Sequence, residues 1–509
     1  MKRNKILVAL LATFALVACD SDYLSVQDTS TITADKYQEI VKADPSVLQN
    51  SVSALYTTLY SYSYSSYKAH DDAGIAAIFL ASDHMGEDVV QTKSHWYTYD
   101  YQLDFRLENY RRPYATWKTL YTVIGQANDV IALVDLDAVN STANDATIKT
   151  LRYSYGQALA MRAYAYMFLV QIFQNPFTAA PDASGAHINL DKKAVPLYYA
   201  SNEPNESDYS RGTVGKVLAS IEQDLLTAER MLDGYARATK SEVDAHVVDG
   251  LLARYYLTTG AWDKAADYAK KAVAGFTLME KEELLTGGFV DISSKEWIWG
   301  FDIATQELSL VYASWYSHIS NIAPGYAGAG YAPRAVDRRL YEQIDTTDYR
   351  KAWFNGPKGD KTQPTEAAQG AYASLKFGDD GNWTMDYPYM RAAEMYLIEA
   401  EALAHQGNET GAAEALKPLM EKRCSAWDKT AVSVDDVLLQ RRIELWGEGF
   451  ALFDLKRNYR GIDRTYSGTN HRAPDGLLKV DAGDVRWTYQ IPLSELQENS
   501  DINSADQNP

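Results

Sequence analysis

One pattern occurs twice in this chain and limits its fold more than any other. Two helix-length segments meet at a glycine, and small residues lie on both sides of the turn. The first copy turns at Gly260, between Ala253 and Ala265. The second copy turns at Gly407 and has small or apolar residues in the equivalent places, at Ala400, Leu403, Ala412, Leu416 and Leu419. Small residues at such positions let the paired helices approach each other closely.

Both copies fit the tetratricopeptide repeat, a helix–turn–helix unit. Helical stretches over residues 114–136 and 148–173 predict a more divergent pair, and a helix over residues 214–232 is expected to pair with one that begins near Glu242. Each pair buries its apolar face only by stacking on its neighbours. We therefore predict an all-α dominated fold, a tetratricopeptide-like scaffold of helical pairs with long irregular loops and a few short strands.

Long segments without a helical pattern separate these pairs. They cover residues 61–110, 175–211, 280–321 and 323–389. Loops of this length in a compact domain usually carry function. The residues that choose a ligand are therefore expected in these segments.

The segment 441–457 has the pattern of a buried helix but also holds many charges. Its apolar stripe consists of Leu438, Leu445, Leu452 and Leu455. Ser433 and Asp436 have the spacing of a capping box at its start. The charged residues and glycines of the segment are Arg441, Arg442, Glu444, Glu448, Asp454, Gly447 and Gly449. A glycine inside a helix costs about 1 kcal/mol relative to alanine, so this pair indicates that another backbone comes very close.

The amino-terminal sequence has the features of a lipoprotein signal. A basic region, residues 1–5, precedes an apolar run, residues 6–16, that is too short to span a bilayer as a helix. Residues 16–19 read Leu-Val-Ala-Cys, which looks like a lipobox. We therefore predict that residues 1–18 are a signal peptide and that Cys19 becomes the lipidated amino terminus. The alternative is an ordinary secretory signal in which the cysteine is incidental.

The formal net charge of −19 at pH 7 limits the partners of the chain. A surface of this sign repels nucleic acid and anionic headgroups, so attachment to a membrane by lipid is more plausible than attachment by a basic patch. Cys19 and Cys424 are the two cysteines. If Cys19 carries lipid, no disulfide framework is left and stability must come from packing.

Taken together, these features resemble the SusD/RagB family, the surface nutrient-binding lipoproteins of Bacteroidota. The segment 441–457 is similar to the family's signature helix, and residues 162–177, 295–299, 348–350, 391–397 and 489–496 are similar to its other motifs. The resemblance covers essentially the whole mature chain. It implies an amino-terminal SusD-like region over residues 19–235 and a carboxy-terminal RagB/SusD region over residues 236–509, packed together into one globular unit.

This resemblance implies binding without catalysis and without a cofactor. Family members sit on the outer-membrane surface as a lid over a SusC-like TonB-dependent transporter and hold glycans, less often peptides, for import. The expected protein is therefore lipid-anchored in the outer membrane and faces the cell exterior, with that transporter and a glycan as partners. Two alternatives are a tetratricopeptide scaffold lipoprotein for outer-membrane assembly and a secreted glycoside hydrolase.

The spacing of the carboxylates and histidines indicates structural roles more than catalysis or metal binding. Glu444 and Glu448 lie on one helix face beside two arginines, which indicates an ion-pair network, whereas a glycosidase needs two carboxylates that face each other across a cleft. The eight histidines show no zinc-binding spacing, so we predict no metal ligands among them. Asp83, Glu87 and Asp88 could bind a calcium ion through their carboxylates, and the alternative is a solvated turn.

Aromatic residues in the long segments are the candidates for ligand binding. A sugar ring lays its C–H face on tryptophan or tyrosine, while its hydroxyls take hydrogen bonds from polar side chains nearby. We predict that two tryptophans stack on sugar rings and that tyrosines line the same surface. The predicted ligand-binding residues are Trp96, Tyr97, Tyr99, Trp315, Tyr316 and Tyr326. Because these contacts are uncharged, binding is expected to depend little on salt; the alternative is that the rings only pack the loops onto the helices.

Overall fold

The computed structural model describes residues 34–62, 69–203, 209–303, 313–379, 381 and 384–509. The predicted signal peptide and Cys19 lie outside these described residues. The chain divides into two compact units, residues 1–47 and 48–509. In the described part of the first unit, helix α1 (Ala34–Ala43) precedes a short 3-10 helix (Pro45–Val47), and the Tyr37 hydroxyl donates a hydrogen bond to the Val47 carbonyl.

The second unit is predominantly helical. Its amino-terminal part contains α2 (Leu48–Tyr60), α3 (Gly74–Met85), α4 (Thr98–Tyr101), α5 (Arg111–Ala132), α6 (Leu136–Asn140), α7 (Ala146–Ile172), α8 (Val214–Met231), α9 (Ala245–Thr259) and α10 (Trp262–Val273). The remainder contains α11 (Lys281–Thr286), α12 (Trp315–Ile319), α13 (Arg338–Gln343), α14 (Glu366–Gln369), α15 (Ala392–His405), α16 (Glu409–Arg423), α17 (Val434–Glu444), α18 (Ala451–Arg457) and α19 (Leu493–Glu498). None of the described helices combines the length and the apolar character that crossing a membrane requires.

Short antiparallel strand pairs connect distant parts of this unit. The pairs are β1 (Val89–Gln91) with β3 (Arg334–Val336), β2 (Trp297–Phe301) with β4 (Tyr387–Arg391), and β5 (Ile462–Asp463) with β6 (Lys479–Val480). In the first pair Val90 lies opposite Ala335. This pair joins the first and the last of the long segments in which ligand residues are expected.

The predicted repeats are present in the structure. Helices α9 and α10 pack together around Gly260, α15 and α16 pack together around Gly407, and α10 also packs against α15. Both glycines have positive φ, +76° and +75°, a conformation that glycine adopts without steric cost. The small residues Ala253, Ala265, Ala400 and Ala412 are all fully buried. The structure therefore confirms the tetratricopeptide-like helical scaffold.

The more divergent helices continue this stack. Helix α5 packs against α7, as predicted, and α8 packs against α9 but more extensively against α7. The α7–α8 contact is close, because a Cβ at Gly156 would lie 2.8 Å from Leu232 Cγ. Arg162 of α7 also holds Asp224 of α8 through two hydrogen bonds of 2.8 Å. Helices α5, α7, α8, α9, α10, α15 and α16 thus form one continuous layered stack.

Helix α3 was not expected from the sequence. It lies within the segment 61–110, which has no helical pattern, and all its residues are buried. A helix that is buried on every side has no polar face and therefore no amphipathic period. It packs against α2, α5 and α18. The segments 280–321 and 323–389 likewise contain short helices and strands.

The segment 441–457 is not one helix, which corrects the prediction. Helix α17 ends at Glu444 and α18 begins at Ala451. Between them Gly447 and Gly449 have φ of +80° and +90°, which no helix contains. The close approach that the glycines predicted is confirmed, because a Cβ at Gly449 would lie 2.6 Å from Phe79 Cβ. The capping box at the start of α17 is also confirmed.

Candidate functional site

Four aromatic side chains form a row at the surface of the second unit. The Trp96 indole stacks on the His70 imidazole, with ring centres 5.1 Å apart and planes 11° apart. The His70 ring lies 4.8 Å from the Tyr326 ring, which in turn stacks on Tyr331 at 5.2 Å. Trp96 is 37% exposed and Tyr331 is 59% exposed, while His70 and Tyr326 are half-buried. We call Trp96, His70, Tyr326 and Tyr331 the aromatic row.

Segments far apart in the sequence supply the row, and the β1–β3 pair holds two of them together. Trp96 follows β1, whereas Tyr326 and Tyr331 precede β3. The Tyr326 backbone N–H donates a hydrogen bond of 2.7 Å to Ser317 Oγ. Gly325 lies against the same serine, because a Cβ there would be 2.5 Å from Ser317 Cα. The turn that carries the two tyrosines is therefore fixed tightly to α12.

The row rests on a buried support. The Tyr97 hydroxyl donates a hydrogen bond of 3.1 Å to the His70 carbonyl, and His70 Nδ1 lies 2.9 Å from His318 Nε2. The Tyr97 ring stacks on His84 and lies 5.1 Å from the Arg112 guanidinium. Tyr97 is fully buried, so it supports the row from beneath. It was predicted to line the ligand surface, and the structure places it in the interior instead.

Trp315 and Tyr316 also lie in the interior, contrary to the prediction that they face a ligand. All five residues of α12 are buried, and Trp315 is only 1% exposed. Its ring packs edge-on against Tyr316 at 4.9 Å and against Phe377 at 5.1 Å. The reason is that α12 packs against α3, so its aromatic residues belong to the core.

The other predicted residues lie at the surface. Trp96 and Tyr326 are brought together through His70, which the sequence pattern did not single out. Tyr99 is exposed, and its ring packs on Phe105 at 5.7 Å. Tyr331 was not among the predicted residues, although it stands in the same glycine-rich segment as Tyr326 and the clustering of aromatic residues could have indicated it. No pattern marked His70, because its role depends on contacts with residues distant in the sequence.

Two cationic side chains lie at the ends of the aromatic row. The Arg111 guanidinium is 5.5 Å from the Trp96 ring centre and pairs with Asp71 at 2.6 Å. At the other end, Lys93 Nζ donates a hydrogen bond of 2.6 Å to the carbonyl of Gly330, the residue before Tyr331. Such groups can donate hydrogen bonds to a ligand that lies along the rings.

A buried layer of histidines surrounds Arg334 next to the row. Arg334 Nε donates to the His318 carbonyl at 2.7 Å, and its Nη1 contacts His95 Nε2. Burial lowers the pKa of Arg334 to about 9. Burial, and then the Arg334 charge, also hold the pKa values of His84, His95 and His318 well below their usual range. These three imidazoles are therefore neutral at pH 7.

Glu444 and Glu448 form part of a buried ion-pair network. Glu444 contacts Arg350, Arg391 and Arg423 at 3.3, 3.1 and 3.0 Å, and Glu448 contacts Arg391 and Lys376, each at 2.6 Å. Burial alone would raise the pKa of each carboxyl, but the charges of these cations outweigh it and lower both pKa values. The arrangement holds the carboxylates ionised and joins α17 to β4 and α16.

The carboxylates near residue 83 also have protein partners. Asp83 accepts hydrogen bonds from the Gly449 and Ala451 backbone N–H groups at 2.8 and 3.2 Å. Arg442 binds Asp88 at 2.5 Å and Glu87 at 3.2 Å. Within the described residues, no group of three or more potential ligands is placed to hold a metal ion. These carboxylates connect α3 and β1 to the segment 441–457.

A cavity of about 530 Å³ lies beside the segment 441–457 and shares no lining residue with the aromatic row. Its volume is that of a small-molecule site. The arginines in its wall already hold carboxylates, since Arg441 binds Asp454 at 3.1 Å and Arg442 binds Asp88. The aromatic row, with exposed rings and cations at both ends, is the better candidate for the ligand site.

Two family models match the chain over separate parts. The model described as SusD family matches residues 316–509. The model described as starch-binding, associating with outer membrane, matches residues 27–257. A comparison with curated protein sequences gave no match.

Many solved structures share the fold. A SusD-like carbohydrate binding protein from Bacteroides vulgatus is 26% identical with a TM-score of 0.73, over 91% of this chain and 98% of that one. A SusD superfamily protein from Bacteroides thetaiotaomicron is 22% identical with a TM-score of 0.72, over 94% and 100% of the two chains. Surface glycan-binding protein A from Bacteroides uniformis is 18% identical with a TM-score of 0.65, over 91% and 98%.

Proposed function

The chain belongs to the SusD family, and from this membership we propose that it binds glycans at the cell surface through the aromatic row. Two of the similar structures carry names that state carbohydrate or glycan binding. A binding protein of this kind needs exposed aromatic faces with hydrogen-bonding groups beside them. The row meets both requirements.

The observation that carries this proposal is the contact between rings from three separate segments. Trp96, His70, Tyr326 and Tyr331 follow one another with ring centres about 5 Å apart. Adjoining exposed apolar groups with polar groups at their rim are a feature of ligand-binding surfaces. Sugar residues of an extended chain would lie along the exposed edges and faces of Trp96 and Tyr331, and the exposed Tyr99 is a further candidate.

The proposed activity is binding and not hydrolysis. Glu444 and Glu448 are the carboxylates whose spacing could suggest a catalytic pair. Both are buried and form ion pairs with arginine or lysine. A glycosidase acid must be able to give up its proton to the leaving group. A carboxyl whose pKa is lowered by neighbouring cations has no proton to give at neutral pH.

Affinity electrophoresis and calorimetry against a panel of neutral and acidic polysaccharides test the binding site. Trp96→Ala and Tyr331→Ala should each weaken binding of the polysaccharide that the parent retains. The loss of one stacking contact is expected to reduce affinity by about five- to tenfold or more, as for other aromatic anchors. The matched control is Tyr209→Ala, which removes an exposed tyrosine outside the row.

Two results would contradict this site. In the first, both row variants fold normally and bind as tightly as the parent. In the second, Tyr209→Ala weakens binding as much as the row variants do. Release of reducing sugar by the purified parent would overturn the assignment as a binding protein.

We also propose that the protein is lipid-anchored at Cys19, faces the cell exterior and delivers glycans to a SusC-like TonB-dependent transporter. The support is the lipobox sequence and the family model that describes association with the outer membrane. Cys19→Ala should move the protein from the membrane fraction to a soluble fraction, and added protease should degrade the parent on intact cells. A variant that stays fully membrane-bound would rule out the lipid anchor. Failure of the parent to co-purify with a SusC-like transporter from its own cells would rule out that partner.

A further inference from the structure

The aromatic row is bounded by cations at both of its ends. Arg111 lies over the Trp96 ring, and Lys93 reaches the Gly330 carbonyl beside Tyr331. Lys93 is exposed and has no carboxylate partner among the described residues. The chain as a whole is acidic, with a net charge of −19, yet cations lie at both ends of this binding surface. Their position is therefore better explained by a ligand than by the solubility of the protein.

A third cation adjoins the middle of the row. Arg334 is fully buried and contacts the carbonyl of His318, whose ring lies 4.9 Å from Tyr326. Its partners are a carbonyl and a neutral histidine, and its Nη2 has no hydrogen-bond partner in the described part of the chain. A buried charge is normally paired with an opposite charge, because leaving it unpaired is expensive. Arg334 therefore contributes an uncompensated positive potential next to the rings.

Carboxylates near the row do not cancel these charges. Asp71 pairs with Arg111, and Asp72 is buried beside Tyr62. Two further cations contact the same segment, but Arg112 pairs with Asp100 and Arg472 pairs with Asp475, so neither pair adds net charge. Asp71 and Asp72 are buried, while Lys93 and part of Arg111 reach the solvent. The accessible charge at the row is positive.

We propose that the glycan bound by the aromatic row is anionic, and that its carboxylate or sulfate groups lie near Lys93 and Arg111. This inference rests on the proposed function and narrows its ligand class. Sugar rings would lie on Trp96 and Tyr331 while acidic substituents reach the cations at the ends. A neutral glycan would use the rings but would leave the positive potential of Lys93 and Arg334 without a counter-charge.

The inference reverses the expectation that binding depends little on salt. That expectation took the aromatic contacts as uncharged. It did not include Lys93, Arg111 or Arg334, because no local pattern shows that Lys93 reaches Gly330 or that Arg334 contacts His95. Attraction between exposed opposite charges is screened, with a Debye length of about 10 Å at 0.1 M ionic strength. Affinity for an acidic glycan should therefore fall as salt concentration rises, while affinity for a neutral glycan should not.

The test uses matched polysaccharides that differ only in charge. Polygalacturonate and its methyl ester form the carboxylate arm, and dextran sulfate and dextran form the sulfate arm. At low salt the parent should bind the charged member of at least one pair more tightly than its neutral member, and the difference should shrink at high salt. The arm in which this happens identifies the acidic group.

Lys93→Gln tests the residue with the clearest role. It keeps a hydrogen-bond donor for the Gly330 carbonyl and removes the charge. It should weaken binding of the acidic polysaccharide by about two- to tenfold, the effect of losing one charge-assisted contact at a partly exposed site, and should reduce the salt dependence. Lys417→Gln, an exposed lysine on α16, is the matched control and should change neither.

The outcomes separate this inference from the proposed function. If the parent binds neutral polysaccharides through Trp96 and binds both members of each pair equally at all salt concentrations, glycan binding stands and the anionic ligand is wrong. If Lys93→Gln and Lys417→Gln lower the affinity for an acidic polysaccharide equally, the attraction comes from the surface in general and the inference fails. If no polysaccharide of either charge binds, the proposed function itself fails.

Discussion

Gly449 shows how a single residue combines a backbone requirement with a packing requirement. Its φ is +90°, and a Cβ there would lie 2.6 Å from Phe79 Cβ. Gly449→Ala should lower the free energy of unfolding by about 1–2 kcal/mol for the left-handed backbone and by about 1–3 kcal/mol more for overpacking. Urea unfolding monitored by tryptophan fluorescence measures the sum.

Gly185→Ala separates these two costs. Gly185 has nearly the same φ, +87°, but nothing lies within 4 Å of the position that its Cβ would take. This control should lose only the backbone contribution. Equal destabilisation of the two variants would show that contact with Phe79 does not constrain residue 449.

Asp249 offers a test of pH dependence at the scale of one residue. It is buried in α9, and its Oδ1 has no hydrogen-bond partner among the described residues. Burial, and then the Glu229 charge, raise the pKa of Asp249 from 3.8 to about 7. Between pH 3.8 and about pH 7 the carboxyl of the unfolded chain loses its proton while that of the folded protein keeps it. The free energy of unfolding therefore falls as pH rises through this range, and this loss of stability is constant above about pH 7.

Asp249→Asn removes this contribution. The stability of the variant relative to the parent should therefore increase as pH rises from about 4 to 7 and then level off. Urea midpoints at a series of pH values measure it, with Asp267→Asn on the exposed face of α10 as the control for net charge. A difference between Asp249→Asn and parent that stays constant with pH would show that Asp249 is not protonated in the folded protein.

At the scale of elements, the sequence was sufficient for helices with an exposed face. The two repeats and the capping box could be predicted because spacing, turning glycines and polar caps are local signals. Helix α3 could not, since burial on all sides removes the period. The break between α17 and α18 was also missed, because the apolar stripe continues at helical spacing through the two glycines and only the positive φ values reveal the turn.

The candidate site shows the same division. Trp96 and Tyr326 were found because aromatic clusters in long loops are visible in the sequence. The sequence did not distinguish them from Trp315, which stands in a similar cluster but lies on a short helix that packs into the core. The link through His70 depends on contacts over more than 200 residues of chain, which no local pattern records.

The capping box of α17 gives a prediction for one element. The Ser433 hydroxyl accepts a hydrogen bond from the Asp436 backbone N–H, and the Asp436 side chain accepts one from the Ser433 N–H in return. Ser433→Ala should lower the free energy of unfolding by about 0.5–2 kcal/mol, whereas Ser433→Thr, which keeps the hydroxyl that also donates to Asp436 at 2.8 Å, should retain most of the parent's stability. Chemical denaturation compares the three proteins, and full stability of the alanine variant would mean that the cap contributes nothing.

For the whole molecule, we predict that residues 19–235 and 236–509 do not fold separately. Their contacts include the hydrogen bonds from Gly449 and Ala451 to Asp83 and the pair between Arg442 and Asp88. The Tyr489 backbone N–H also donates to the Ile172 carbonyl at 2.9 Å. Each region expressed alone should lack a cooperative thermal transition, and co-expression should restore a complex that co-purifies. Two separate cooperative transitions would show instead that the regions are independent domains.

The buried network around Glu444 also limits how this protein can change in evolution. Removing one partner of a buried ion pair leaves an uncompensated charge and costs about 3–5 kcal/mol, while replacing the whole set with apolar residues can be neutral or stabilising. The residues at the centre of the network, Glu296, Arg391, Arg423 and Glu444, come from the loop before β2, from β4, from α16 and from α17. A single substitution at Arg391, Arg423 or Glu444 should therefore destabilise the fold, and apolar residues could take the place of the network only through several coordinated replacements.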